Sequence, residues 1–460
     1  MTGIAIVDAV SGNTGLLQAL IMMAILGFAI VKLIALTARD EDSKHFEIRL
    51  FTVALVLRFI ASLAIYEFGL VDVIKDEDGY GWLNGALVYQ DWVRRDLSLL
   101  DLPYEWAHAF IETFGTLGYA NLVGTVFYLT DLPARLPAAV ISNVCGAATA
   151  VVVYRMAALV SSHWVAIRAG WWACFIPSLV MWSAQTLKEP LVILFETLGI
   201  YGCLQLRKSG YSAAGMFLSI VSILVLVAFR TYAAYITGGI VVGSLLIVRP
   251  GRTMATAVSG LAIAAVIAAV LFGTGIVAGH LSSMEKFDLN QLQEIRDYTA
   301  RTTGSGVPMG YDLRTPQGFG MSVLVGGANL LLAPFPWQLG GASLRMVLTI
   351  PDVAIWWWLM LAGALPGLVW SVRRRLFETI PLLLFLAAMG ILYGITFSNV
   401  GLAYRYRATL MPSLLVFAML GFEQRRLKRV RAGRANGQHM ASLRARRARR
   451  FSVPVGTFSP

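Results

Sequence analysis

Three carboxylates stand side by side in the stretch Lys75 to Tyr80, KDEDGY, just past an apolar run and at the start of a long polar segment. Negative charges packed this densely disfavour one another's ionisation. That suits one of Asp76, Glu77 and Asp78 to take up a proton near neutral pH, which is the work of a general base. The same residues would serve equally as a helix cap, because acids followed by Gly79 and an amphipathic run satisfy the free N–H groups of a first turn. Clustered acids also suit magnesium or manganese, so a divalent metal at this turn stays open.

The elements that must hold these groups are membrane spans. Hydrophobic residues make up 57% of the 460 and charged ones only 14%, against about 25% charged in a soluble domain. The mean hydropathy is +0.68. This composition excludes an ordinary soluble globule. The formal charge is +12, but eleven of the 38 Lys and Arg lie between Arg425 and Arg450 with no acid among them, and removing those eleven leaves +1. Basicity is therefore the property of a tail, 425–460, which reads as a solvated cytoplasmic extension of one transmembrane domain over 1–424, not as a nucleic-acid-binding arm. Cys145, Cys174 and Cys203 fall inside apolar runs and imply no disulfide framework. The five histidines are scattered without ligand spacing. The stretch before Leu16 lacks Lys and Arg and does not read as a cleavable signal peptide. No Asn-x-Ser/Thr sequon occurs, which is compatible with a bacterial inner membrane.

A span needs about 20 apolar residues. Eleven stretches qualify: 14–37, 50–69, 137–160, 164–184, 188–206, 213–229, 231–248, 254–275, 353–371, 377–396 and 408–423. The basic segments are those with Arg39, Lys44 and Arg49, with Arg207 and Lys208, with Arg249 and Arg252, with Arg373 to Arg375, and the tail. Placing all five in the cytoplasm puts the N-terminus outside and the C-terminus inside. Two long segments, 71–136 and 276–352, then lie outside. Each contains a shorter apolar piece, Ala120 to Thr130 and Met321 to Trp337, which reads as a half-helix or interfacial helix. Tyr80, Leu83, Leu87 and Val88 recur at helical spacing, and with Trp92, Trp106, Phe110 and Phe114 they predict a helix along the outer surface. Gly239 and Gly243 fit a small-residue packing face within the fold.

The same alternation brings the acidic turn, Lys188 with Glu189, Arg230, the Arg296 to Arg301 segment, Arg405 and Arg407 to the outer face. Ionisable groups at membrane depth cost about 2.5–3.5 kcal/mol each on insertion scales, so their convergence reads as a site, although any single Arg can instead be an interfacial residue that snorkels.

Taken in order, the features from Asp76 to about Lys208 resemble the polytopic glycosyltransferases of the GT-C class, the group with the protein O-mannosyltransferases, the lipid A aminoarabinose transferase and the transferases of lipopolysaccharide cores. The likeness rests on a carboxylate-bearing loop after an early span, here DEDGY, on a surface helix, on YANLVGTVFYLTDLPARLPAAVISNVCGAATAVVVYRMAALV, and on the Pro-Ser turn of PSLVMWSAQTLKEP. PFPW at Pro334 to Trp337 and NVGLAYRYRATLMPSLL at Asn399 to Leu415 look like late segments of bacterial exopolysaccharide-type membrane proteins. This chain adds a span before the usual first one and lacks the soluble C-terminal domain of some relatives. The resemblance implies an all-α GT-C-like fold and an inverting transferase whose donor is a polyprenyl-phosphate-linked sugar and whose acceptor is a glycan, lipid or protein. It implies Asp76 as general base, with Asp78 and then Glu77 behind it. Lys188, Arg230, Arg405 and Arg407 are expected to bind the donor's phosphate, Arg through a planar fork of donors and Lys as a compact charge. Tyr80, Arg296 and Arg301 are expected on the acceptor or loop side.

Two other readings stay open. An O-antigen-type polymerase or ligase, taking a polyprenyl-pyrophosphate glycan, would also gather arginines outside and use the 276–352 segment. A transporter would use intramembrane charges as ligands, but commonly shows repeated halves, and residues 1–230 and 231–460 show none.

Overall fold

A computed structural model describes residues 15–70, 77–96, 118–209, 212–247, 289–303, 305–339 and 344–451, with isolated positions 262, 265 and 269. Among the described residues the chain is helical, with one isolated β-bridge between Gly306 and Asn399 and no strand.

The helices are α1 Leu16–Thr37, α2 Glu41–Glu67, α3 Glu77–Asp96, α4 Gly118–Thr130, α5 Arg135–Val160, α6 His163–Phe175, α7 Pro177–Ser183, α8 Glu189–Ser209, α9 Ala213–Phe229, α10 Thr231–Leu246 and α11 Leu289–Thr302. The short α12 Pro316–Met321 runs through a π-helical turn into α13 Gly327–Leu332. α14 Leu344–Trp358 likewise continues through a π-helical turn into α15 Leu365–Arg374, and α16 Leu376–Ile395 and α17 Val400–Phe451 close the chain.

Among the described residues six helices are long and apolar enough to cross a membrane: α1, α2, α5, α8, the joined stretch Ile350–Arg374, and α16. The expected span over 164–184 is a pair, α6 and α7, bent by 53° at Ile176 and Pro177; counted as one crossing it makes seven. α9 and α10 have 17 and 16 residues, about 25 Å of helix at about 1.5 Å per residue and short of a full hydrocarbon core of about 30 Å. The expected span over 408–423 is the apolar part of α17, and the one over 254–275 lies outside the described residues apart from three isolated positions. The chain is thus an all-α membrane protein.

A bend inside a membrane frees backbone groups that need partners within the protein. Here both sides of the break are served by ionisable side chains. Arg58 of α2, 1% exposed, donates to the carbonyls of Ala173 at 3.1 Å and Cys174 at 3.2 Å on the α6 side, and to Ala54 at 3.1 Å. On the α7 side the Ser178 N–H donates to Asp352 Oδ1 at 3.1 Å. A lone Arg deep in an apolar helix is therefore the clasp of a broken span. Replacing Arg58 with Leu is expected to orphan these carbonyls at about 1–3 kcal/mol each, a clear drop in thermal midpoint in detergent; an unchanged midpoint would show that the break needs no clasp.

The two ends of the bundle differ in chemistry. At one end cations close helix C-termini: Arg375 donates to the Val160 carbonyl at 2.9 Å and Arg207 to that of Ile247 at 3.0 Å, the polarity the helix dipole favours, and Arg207 also ties in the first turn of α16 through the Phe377 carbonyl at 2.9 Å. α17 passes this end at Glu423, near Ser161, and carries on as the basic tail. The start of α8, the α9–α10 junction, the end of α16 and the start of α17 lie at the opposite end.

Small residues bring α8 close to its neighbours, and they are not the expected pair. A Cβ on Gly202 would lie 2.6 Å from the Gly215 carbonyl oxygen, and one on Gly215 2.8 Å from that of Gly202. Gly239 and Gly243 face nothing within 4 Å among the described residues; spacing reports a smooth helix face but not what packs on it.

α3 and α4 run side by side in the same direction: a Cβ on Gly85 would lie 2.9 Å from that of Ala120, Gln90 donates to the Phe127 carbonyl at 2.9 Å, and Arg94 pairs with Asp131. Leu83, Ala86, Gln90 and Val93 form the packed stripe. Val88 is 71% exposed and lies off it; an i, i+3, i+7 reading through Ala86 and Gln90 replaces the apolar one, because Gln90 is buried by its hydrogen bond. Trp106, Phe110 and Phe114 lie outside the described residues.

Candidate functional site

Glu189 opens α8 and is 2% exposed. Two guanidinium groups reach the same carboxylate oxygen, Oε1: Arg230 Nη2 at 2.7 Å and Arg405 Nη2 at 2.6 Å. Oε2 accepts no hydrogen bond among the described residues. Each member comes from a different element, and each has a local reason to be there. Lys188 sits half-buried just before Glu189, and its carbonyl accepts the Val192 N–H, starting the helix. Arg230 lies at the break between α9 and α10, where its backbone is non-helical (φ −158°, ψ 85°) and its N–H still closes α9 on Leu226 at 2.7 Å. Arg405 lies in the second turn of α17.

Aromatic hydroxyls surround the cluster. The Arg230 guanidinium lies 5.7 Å from the Tyr232 ring, the Tyr232 and Tyr393 hydroxyls are 3.5 Å apart, and Tyr393 stacks on Tyr406 at 4.2 Å. Tyr119, at the start of α4, is within electrostatic reach of Glu189 and shares a 3.1 Å hydrogen bond with Ser142, whose hydroxyl donates to the Leu187 carbonyl at 2.8 Å. Because α3 runs parallel to α4, the first turn of α3, with Glu77, Asp78 and Tyr80, belongs to the Tyr119 end of that pair. Asp76 lies outside the described residues, and the side chains of Glu77, Asp78 and Tyr80 do too.

The four expected phosphate ligands divide. Arg230 and Arg405 meet on Glu189, and Lys188 is the residue before it in the chain. Arg407 belongs to a second buried group. It donates to the Ala333 carbonyl at 2.8 Å and lies 4.8 Å from the Tyr404 ring and 5.5 Å from that of Trp356. The Tyr404 hydroxyl in turn donates to Asp352, which caps the broken span through Ser178. Arg407 thus holds the Pro334 turn and the α14–α17 packing.

Arg296 and Arg301 are also separated. Arg296 is buried and donates to Ser322 Oγ at 2.8 Å, Gln293 Oε1 at 2.9 Å and the Tyr311 carbonyl; burial draws its guanidinium below its ordinary value. It knits its own segment together. Arg301 is exposed. That segment is tied to the start of α17 by Val307 N–H to the Ser398 carbonyl at 2.8 Å and Val400 N–H to that of Ser305 at 3.0 Å, which places it at the Glu189 end.

Sequence reasoning passed over Glu196, Asp352 and Tyr393 as site residues. The signal for the first two was present: each is a lone acid inside an apolar helix, FETLG and PDVAI, and such acids mark functional or clasping positions. Tyr393 carries no such signal. Among the described residues no three His, Cys, Asp or Glu converge as a metal site. No family model and no curated protein sequence matches the chain.

Proposed function

We propose that the protein is a membrane glycosyltransferase that moves a sugar from a polyprenyl-phosphate donor to an acceptor on the outer face of a bacterial inner membrane. The observation that carries this reading is the meeting of Arg230 and Arg405 on one oxygen of Glu189. They bring two guanidinium groups together with Glu189 from three elements at the end of the bundle away from the basic tail. A pair of guanidinium forks suits an oxyanion, and the anion that a lipid presents at this depth is a phosphate.

The chemistry follows from charge. The donor is a phosphodiester with one negative charge. An acceptor hydroxyl oxygen forms a bond to the anomeric carbon as the bond from that carbon to the phosphate oxygen breaks, and the bonding pair leaves with the phosphate. The leaving group gains a second negative charge in this step, so guanidiniums already in place bind it more tightly at the transition state than in the ground state. The acceptor's proton goes to a carboxylate of the acidic turn, Asp76 first in order and Asp78 and Glu77 next. Displacement in one step inverts the anomeric carbon.

The positive-inside rule sets the orientation. The end with Arg207, Arg373 to Arg375 and the tail is cytoplasmic, and the Glu189 end is periplasmic. A single cysteine at Thr302, an exposed position of α11, is expected to react with an impermeant maleimide added outside intact spheroplasts, while Cys145, Cys174 and Cys203 are buried and add little background. Reaction only after permeabilisation would reverse the topology. The activity itself is tested by incubating proteoliposomes with radiolabelled polyprenyl-phosphoryl hexoses and pentoses and following release of polyprenyl phosphate. Consumption of diphosphate-linked glycans alone would assign the polymerase or ligase reaction instead.

A further inference from the structure

Trp164 stands half-buried in the first turn of α6, at the end of the bundle where the basic tail emerges. Two guanidinium groups from different elements lie against its ring. That of Arg168, one turn further along α6, is 3.9 Å from the ring centre, and that of Arg426, three residues past Glu423 on α17, is 5.3 Å from it. Both arginines are exposed, and neither makes a hydrogen bond or an ion pair among the described residues. The acids of this end are engaged elsewhere. Glu423 accepts the Ser161 hydroxyl at 3.4 Å and that of Ser162, Asp40 caps α2 by accepting the Ser43 N–H at 2.8 Å, and Glu47 holds Arg155 at 3.1 Å. More cations stand nearby at the end of α5, where Arg375 donates to the Val160 carbonyl at 2.9 Å and Lys208 to that of Leu159 at 3.4 Å.

A guanidinium stacked on an aromatic face keeps its N–H edge for a planar, two-pronged grip on an oxyanion. Indole rings gather at the headgroup level of a bilayer. Depth decides which oxyanion fits. Arg168 follows five residues into the apolar run that opens the broken span, about 7 Å along the helix, and its side chain turns back over Trp164 toward the surface. A phospholipid's phosphate stands at that level throughout the leaflet, whereas a soluble polyanion would have to displace headgroups to reach it. We propose that Arg168, Trp164 and Arg426 form a binding site for the headgroup phosphate of an anionic phospholipid in the leaflet beside the basic tail, each guanidinium taking one of the two non-bridging oxygens. The bound lipid joins α6 to the root of the basic extension and fixes how deep α17 sits in the bilayer. The site lies at the end of the bundle opposite Glu189, so it stands whatever anion Arg230 and Arg405 hold.

The test uses the full-length protein in detergent and dioctanoyl phosphatidylglycerol as the probe, with native mass spectrometry giving the affinity for the first lipid bound. The wild type is expected to bind it more tightly than dioctanoyl phosphatidylcholine, which has the same phosphate and no net charge. Arg168→Gln and Arg426→Gln are each expected to weaken that first binding about fivefold, the scale for one basic residue at an anionic lipid surface. Arg429→Gln removes the same charge one turn further out on α17 and is expected to leave it unchanged. Equal affinity of the wild type for the two lipids overturns the proposal, whatever the variants do. So does binding undiminished when Arg168 and Arg426 are both replaced by Gln, or a loss in Arg429→Gln as large as in Arg168→Gln, which would assign the attraction to diffuse tail charge. Displacement of the lipid by an equal concentration of inorganic phosphate would make this a site for a free anion and overturn the lipid assignment.

Discussion

Replacing Asp76 with Asn is expected to lower turnover by about 10²- to 10⁴-fold. Asn keeps the size and hydrogen-bonding shape of Asp but cannot accept the acceptor's proton at neutral pH, so expression and monodispersity should survive while chemistry does not. A pure helix cap behaves differently, because Asn caps as well as Asp and the same change then costs at most a few tenths of a kcal/mol with near-normal activity. Asp78→Asn and Glu77→Gln, assayed in parallel, separate the proton acceptor from acids that only tune it through like-charge repulsion. An active Asp76→Asn beside an inactive Asp78→Asn moves the base two residues along; full activity in all three removes the base from this turn.

Arg405→Ala is the second large effect. Truncating one partner of a buried pair usually destabilises by about 3–5 kcal/mol because it strands the other charge. In this cluster Glu189 retains Arg230 at 2.7 Å after Arg405 is lost, so that carboxylate is not stranded. Donor turnover should nonetheless drop about 10²- to 10³-fold, the scale for deleting one preorganised donor to a developing oxyanion. Arg405→Lys keeps the charge and loses the fork, and should recover stability more fully than rate. A loss of thermal midpoint that matches the loss of rate in both variants would make the cluster structural glue.

Much of this site was legible in the chain, and the limits are instructive. Arg230 and Arg405 stand out because each is a charge at the end of an apolar run, and the charge bias at the opposite ends of those runs orders the bundle. Their meeting on Glu189 was not legible, since spacing along three separate helices carries no information on which of them touch. Arg407, two residues beyond Arg405, looked equivalent and joins a different buried group, because a helix turns about 100° per residue and sends the two side chains to different neighbours. The break at Pro177 was visible as a Pro-Ser turn, whereas Arg58 and Asp352, which make the break tolerable, lie 115 to 174 positions away along the chain from the groups they serve. A lone acid in an apolar helix is the one sign that pointed to Glu196 and Asp352, and it deserves the same weight as a basic residue in such a setting.

The central claim is that Arg230 and Arg405 hold the phosphate of a lipid-linked sugar as the sugar leaves. It is tested most directly by a single-turnover assay in proteoliposomes, following release of polyprenyl phosphate from a radiolabelled polyprenyl-phosphoryl sugar by wild type and Arg405→Ala. The account predicts release by the wild type and a rate about 10²- to 10³-fold lower in a variant that remains monodisperse. Equal rates in the two proteins would contradict it.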